Sequence, residues 1–326
     1  MNNSTIKLQI WILIAAFLLM GIKLIAWFFS QSNAILTDAL ESIVNILAAA
    51  FTLYSLYLSV KPKDREHPYG HGKVEYIAAG IEGGLIGITG IMMIIKASVE
   101  FDQPAALTNL DLGIILSVFA GVVNYIMGYY MVFRGKKLRS VSMIAGGKHL
   151  QSDGYTSAGM IIGLVVVYLT EKYWIDNLIA VLLGLFLIFS CVTILRKSVA
   201  GIMDETDQEI VEEVIDVLRK NRRIRWIDIH NLRIIKYGAA LHVDCHVTLP
   251  WYLNLQEAHE EMDFIQNTVE EKFSTEVEIF IHNDPCLPES CRLCKIKDCE
   301  FRKFEFEKEV EWNTDNLLTN RKHSLR

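Results

Sequence analysis

The sequence predicts a membrane α-helical bundle of six spans followed by a small cytoplasmic α/β domain of ferredoxin-like, α-β-β-α-β order. Three observations carry that prediction. Hydrophobic residues make up 52% of the 326 positions, which is high for a soluble protein. Charge is sparse as far as Met203 and dense from Asp204 onward, the mark of a membrane part joined to a soluble part. A span needs ~20 mostly apolar residues, and runs at 8–29, 33–60, 74–99, 113–133, 149–169 and 174–195 meet that need.

The segments between these runs set an orientation. Basic residues crowd into 61–73, 134–139 and 196–197, whereas the segments at 30–32, 100–108 and 170–173 carry one lysine among them. By the positive-inside rule both termini face the cytoplasm. No cleavable signal is evident, because the first run has no small-residue cleavage site after a basic start.

From Asp204 the period changes. Residues 208–219 (QEIVEEVIDVLR) place Ile210, Val214 and Leu218 on one helical face. Residues 224–235 and 239–249 alternate like two strands joined around Tyr237-Gly238, 256–273 is amphipathic and helical, and 276–281 reads as a third strand. Helices on an antiparallel sheet follow. The expected divisions are 1–203, 204–285 and a Cys-bearing, charged tail at 286–326, whose end from Asn313 on reads as disordered.

Four groups of residues bear chemistry. His149 and Asp153 are four apart inside an apolar segment, so on a helix they share a face. Such groups are tolerated in a bilayer where they face a bundle interior or a water-filled path. A satisfied histidine in a soluble core helix is the alternative, and the five other apolar runs weigh against it. Glu41 and Asn45 on the second run have the same spacing. Together the two pairs offer nitrogen and oxygen ligands for a borderline divalent cation such as zinc, iron(II) or manganese. Asp38 precedes Glu41 by three and is either an approach residue or a charge at a helix N-terminus.

The second group, Asp64, His67 and His71, has ligand-like spacing in a loop, against the plain reading of a solvated loop. The third is His230, His246, His259, His282 and Asp284 in the soluble part; His242 shares a strand face with His246. The fourth is Cys286, Cys291, Cys294 and Cys299, four of the chain's six cysteines. These can hold one structural zinc. An iron–sulfur cluster and a redox-reactive set are the other two readings. A net charge of -6 gives no support to nucleic-acid binding. No nucleophile elbow, phosphate loop or His-Glu-x-x-His pair points to an enzyme.

Three stretches resemble the cation diffusion facilitator family: His149-x-x-x-Asp153 in a fifth span, His67-Pro68-Tyr69-Gly70-His71-Gly72-Lys73-Val74-Glu75 after a second, and a soluble domain with His230-Asn231-Leu232-Arg233 and Gln256-Glu257-Ala258-His259. The resemblance covers the chain to Asp284. It implies a homodimeric, multi-pass antiporter of the plasma (inner) membrane that exports zinc, iron(II) or manganese from the cytoplasm in exchange for protons. It further implies a transport site of Glu41, Asn45, His149 and Asp153 and a loop site of Asp64, His67 and His71. The cytoplasmic site is then His230, His246, His259, His282 and Asp284. Family members commonly carry Asp or His followed by Asp on the second span, so Glu41 and Asn45 depart from the pattern. Asn45 binds no proton, which puts the metal preference and the proton count in question. It also opens a second reading, a membrane-anchored metal sensor with weakened transport. The resemblance is silent on the Cys tail.

Overall fold

A computed structural model describes residues 3–30, 33–99, 110–170, 174–238, 240–273 and 276–325. The side chains of 33–41, which include Asp38 and Glu41, lie outside the described set, as do the segments 100–109 and 171–173. The chain divides into two units, Met1–Met203 and Asp204–Arg326.

The first unit holds six long helices: α1 (Asn3–Ser30), α2 (Asn33–Ser59), α3 (Val74–Val99), α4 (Leu110–Leu138), α5 (Val141–Thr170) and α6 (Trp174–Ile202). The shortest, α3, has 26 residues; at ~1.5 Å per residue it outruns a hydrocarbon core of ~30 Å. Among the described residues, Ile6–Ile25, Val74–Val99 and Ala180–Ile202 are apolar and long enough to cross a membrane. Helix α5 begins at Val141, eight residues before His149. His149 and Asp153 therefore lie inside a helix and not at its mouth. The basic stretch 134–139 likewise belongs mostly to the end of α4.

Small residues let these helices approach, as they must where lipid gives no hydrophobic drive to associate. A side chain on Gly128 of α4 would come within 2.5 Å of the Gly147 carbonyl oxygen on α5. On the α3–α6 seam, a Cβ at Gly90 would stand 2.8 Å from the Gly184 carbonyl oxygen. The Gln9 amide donates to the Ala49 carbonyl at 3.1 Å, tying α1 to α2 in a buried position.

The second unit contains α7 (Gln208–Lys220), β1 (Asp228–Tyr237), β2 (Ala240–Leu249), α8 (Leu255–Lys272) and β3 (Val277–Pro285). Strand order is β1-β2-β3. Strands β1 and β2 pair antiparallel around Gly238, whose φ of +61° suits glycine. β3, however, runs parallel to β2. The sheet is mixed where an antiparallel one is expected, because α8 carries the chain back across the sheet before β3 begins. Asn254 caps α8 by accepting from the Glu257 amide at 2.9 Å, and Glu257 returns the bond to the Asn254 amide at 2.9 Å. The core is built from Val211, Val214 and Leu218 of α7, Ile229 and Leu232 of β1, Val243 and Val247 of β2, and Ile265 and Val269 of α8.

The tail corrects the expectation of disorder. Trp312 is 1% exposed and stacks on Trp226, with ring centroids 6.4 Å apart and planes at 10°. Leu317, on the short helix α9 (Thr314–Leu317), is fully buried in the same core. The Arg222 guanidinium covers the outer face of Trp312 at 4.0 Å. The segment beyond Pro285 is therefore part of the folded unit. Trp312→Ala is expected to destabilise that unit by about 3–5 kcal/mol, the range for removing a buried aromatic. Urea denaturation of a 204–326 fragment, followed by tryptophan fluorescence, checks this.

Candidate metal sites

Two turns into α5, the deepest constellation links two helices. The Asn45 amide nitrogen on α2 donates to Asp153 Oδ2 at 2.6 Å. Its carbonyl oxygen lies 2.9 Å from His149 Nε2. Asn45 and His149 are 7% and 3% exposed. The other imidazole nitrogen, Nδ1, is buried and has no hydrogen-bond partner among the described residues, a costly arrangement without a ligand. Three of the four expected transport-site residues thus meet. A divalent cation among them would take over the lone pairs these two hydrogen bonds now occupy. The fourth, Glu41, and the approach residue Asp38 lie outside the described side chains.

A buried acid missed by the sequence reading stands below them. Glu82 of α3 is fully buried and accepts a short hydrogen bond from the Thr52 hydroxyl of α2, while its Oε2 has no partner among the described residues. Thr52 follows Asn45 by seven residues on α2, and Gly146 precedes His149 by three on α5. A Cβ at Gly146 would meet Glu82 Oε1 at 3.1 Å and Thr52 Oγ1 at 3.0 Å. Glu82 therefore sits on the same inter-helix seam as Asn45 and His149, one to two turns toward the 61–73 loop, where a carboxylate can hold a cation or a proton. Two glutamates in one apolar run, Glu75 and Glu82, were the available signal. Glu75 is also fully buried, held by the hydroxyls of Ser140 and of Ser142, the latter at 3.3 Å.

The loop between α2 and α3 brings Asp64, His67 and His71 together, with one ligand atom from each within 4.8 Å of the others. Asp64 Oδ1 accepts from the His67 amide at 2.7 Å and the Glu66 amide at 3.0 Å. Asp64 Oδ2 faces His71 Nε2 at 3.3 Å. The His67 amide, with the imidazole beside it, holds the Asp64 carboxyl below the usual carboxylate range.

In the second unit His230, His246 and Asp284 likewise gather ligand atoms within 4.8 Å. Strand register does this: His246 of β2 is flanked by His230 on β1 and by His282 on β3. Asp284 Oδ2 lies 3.2 Å from His246 Nδ1 and 3.4 Å from His230 Nε2. The His282 ring is 4.6 Å from that of His246, with its Nε2 3.6 Å from Asp284 Oδ1. His259 does not join them within one protomer. It is exposed on α8 and faces Asp263 at 3.6 Å.

Behind His230 stands Asp228, 1% exposed, whose Oδ2 is 3.4 Å from His230 Nδ1. His323, from the tail, approaches the same carboxylate with Nδ1 at 2.7 Å from Oδ1 and its amide at 3.0 Å from Oδ2. Burial alone would raise the Asp228 pKa, but His230 and His323 outweigh it and keep the carboxyl well below its usual range. A carboxylate behind a ligating imidazole orients the ring and raises its basicity, and its loss typically costs ~10–100-fold in metal affinity. Asp228→Asn is expected to weaken zinc binding at this site by that factor with the fold intact, as titration calorimetry on a 204–326 fragment would read.

Cys286, Cys291, Cys294 and Cys299 line one cavity of about 360 Å³. All four are free thiols. Burial pushes the Cys286 and Cys294 thiols up. Their sulfurs are not drawn together as the histidine sites are: only those two groups of ligand atoms close to within 4.8 Å among the described residues.

A bundle of long apolar helices with a buried nitrogen and oxygen constellation, joined to a small domain with its own histidine site, defines a metal-handling membrane protein. The comparisons give the family. The cation efflux transmembrane domain matches residues 9–203, and the cation efflux protein cytoplasmic domain matches 206–286. The chain belongs to the cation efflux, or cation diffusion facilitator, family of divalent-cation transporters. It is 29% identical over 260 residues to an uncharacterized transporter of Synechocystis, covering 80% of this chain and 84% of that one. It is 26% identical to the cation-efflux pump FieF of Shewanella oneidensis and to the manganese efflux system protein MneP of Bacillus subtilis, each over 87% of this chain and 97% of the relative.

Proposed function

We propose that this protein is a proton-coupled exporter of divalent transition metals, zinc first, with iron(II) and manganese as further substrates. The observation that carries the proposal is the Asn45–His149–Asp153 network between α2 and α5, in which one imidazole nitrogen has no partner among the described residues. Metal enters from the cytoplasm, which faces both termini, and meets deprotonated Glu41, His149 and Asp153 with the Asn45 carbonyl. Rocking of the bundle exposes the site to the other side, where protons take the three titratable groups and release the ion. The chain acts as a homodimer in the plasma (inner) membrane. Its second unit pairs two protomers and senses cytoplasmic metal at His230, His246, His282 and Asp284, with His259 joining from outside the protomer's own cluster. No bond chemistry is involved.

Asn45 also motivates a second reading, a metal sensor with weakened transport, because its amide nitrogen occupies Asp153 without carrying a titratable proton. The names of the relatives leave the metal open, since one is a manganese efflux protein. Purified protein in liposomes with an imposed pH gradient, offered zinc, iron(II), manganese, cobalt and cadmium in turn, tests both. Metal uptake that collapses with the pH gradient supports the exporter. Binding without flux supports the sensor.

A further inference from the structure

The chain beyond β3 makes a compact knot around sulfur. The Cys286 amide donates to the Leu249 carbonyl at 2.8 Å, which anchors the first cysteine at the end of β2. A 3-10 turn at Pro288–Arg292 delivers Cys291, and the Cys294 amide closes back on the Cys291 carbonyl at 3.2 Å. The Arg302 guanidinium donates to the carbonyls of Cys291 at 3.0 Å, Cys294 at 2.9 Å, Ile296 at 2.6 Å and Phe304 at 3.0 Å. One cation thus gathers the backbone of the two central cysteines and of the segments flanking Cys299.

Besides the four thiols, the polar side chains lining the cavity include the hydroxyls of Tyr252 and Ser290 and two cations. No carboxylate or imidazole lines it, whereas Arg302 and Lys303 do. The Lys303 amide points at Cys291 Sγ at 3.5 Å, the kind of contact that stabilises a sulfur carrying negative charge. Four cysteines within 14 residues, all on one cavity and none bridged, are what a thiophilic cation requires.

We infer that Cys286, Cys291, Cys294 and Cys299 form a tetrathiolate zinc site, separate in donor chemistry and place from the imidazole and carboxylate sites. Zinc at ~2.3 Å from each sulfur draws the four inward from their present spacing. The ion then fastens the tail to the end of β2. This centre is structural and does not depend on the transport reading.

The test uses full-length protein purified in detergent without chelator. Wild type should carry one more zinc per protomer than Cys291→Ser/Cys294→Ser, by elemental analysis, while His230→Ala/His246→Ala keeps that zinc. Cobalt substituted at the site should give sulfur-to-cobalt charge transfer and tetrahedral d–d bands, both lost in the double-serine variant. Should that variant misfold, Cys299→His keeps four ligands, and the charge-transfer band should weaken by the share of one thiolate in four. Equal zinc in wild type and the double-serine variant, with four thiols titrating freely in the native protein, overturns the site. Bound iron with acid-labile sulfide and visible absorption overturns zinc in favour of a cluster.

Discussion

Asp153→Ala should abolish metal flux in liposomes while leaving a folded protein. Asp153 sits inside α5 and accepts from Asn45 at 2.6 Å. The substitution removes the only carboxylate among the three residues that meet there and leaves the Asn45 amide without that acceptor. Loss of a group that merely orients a ligand costs ~10–100-fold. Loss of a direct anionic ligand should exceed that range. Alanine is helix-favouring and smaller than aspartate, so the bundle has no steric reason to unfold. Stopped-flow zinc uptake, with size-exclusion chromatography as the folding control, reads both parts. Wild-type flux in the variant would remove Asp153 from the site.

Asn45→Asp should change binding and release in opposite senses. At present the amide is a neutral bridge, giving a proton to Asp153 and taking a contact from His149. Aspartate would set two carboxylates at that same 2.6 Å spacing. Like charges so close cannot both ionise without a cation or a shared proton. Divalent affinity should therefore rise, by roughly 10-fold or more, since an anionic oxygen replaces a neutral one. Release should slow, and flux should depend more steeply on the outward-facing pH, because one more proton is needed to displace the ion. Calorimetry and pH-dependent flux measure the two. Unchanged affinity would show that Asn45 does not touch the metal.

Much of this was legible because hydrophobic period is a local property. Each of the six helices covers its apolar run to within one residue, although α5 starts eight residues earlier and α6 continues seven residues further, and the i, i+4 spacing of His149 and Asp153 suffices to put both on one face. What escaped was non-local. Alternation along 276–281 marks a strand but is blind to direction, so the parallel pairing of β3 with β2 could not be read. Glu82 finds Thr52 thirty residues away, and Trp312 finds Trp226 at a still longer separation. A tail with few apolar residues reads as unstructured until the surface waiting for it is known. His259 stands apart from the cluster within one protomer, because composition cannot say which side of α8 a residue takes.

The return of His323 to Asp228 has a consequence for synthesis. The histidine cluster of the second unit is complete in sequence by Asp284, yet the carboxylate behind His230 meets its nearest imidazole only at His323. A chain truncated between Asp284 and His323 would keep His230, His246, His282 and Asp284 and lose one of the imidazoles that hold Asp228. Support for His230 is thus completed only after its neighbours in the cluster have been made, once the tail has left the ribosome and folded back onto the sheet.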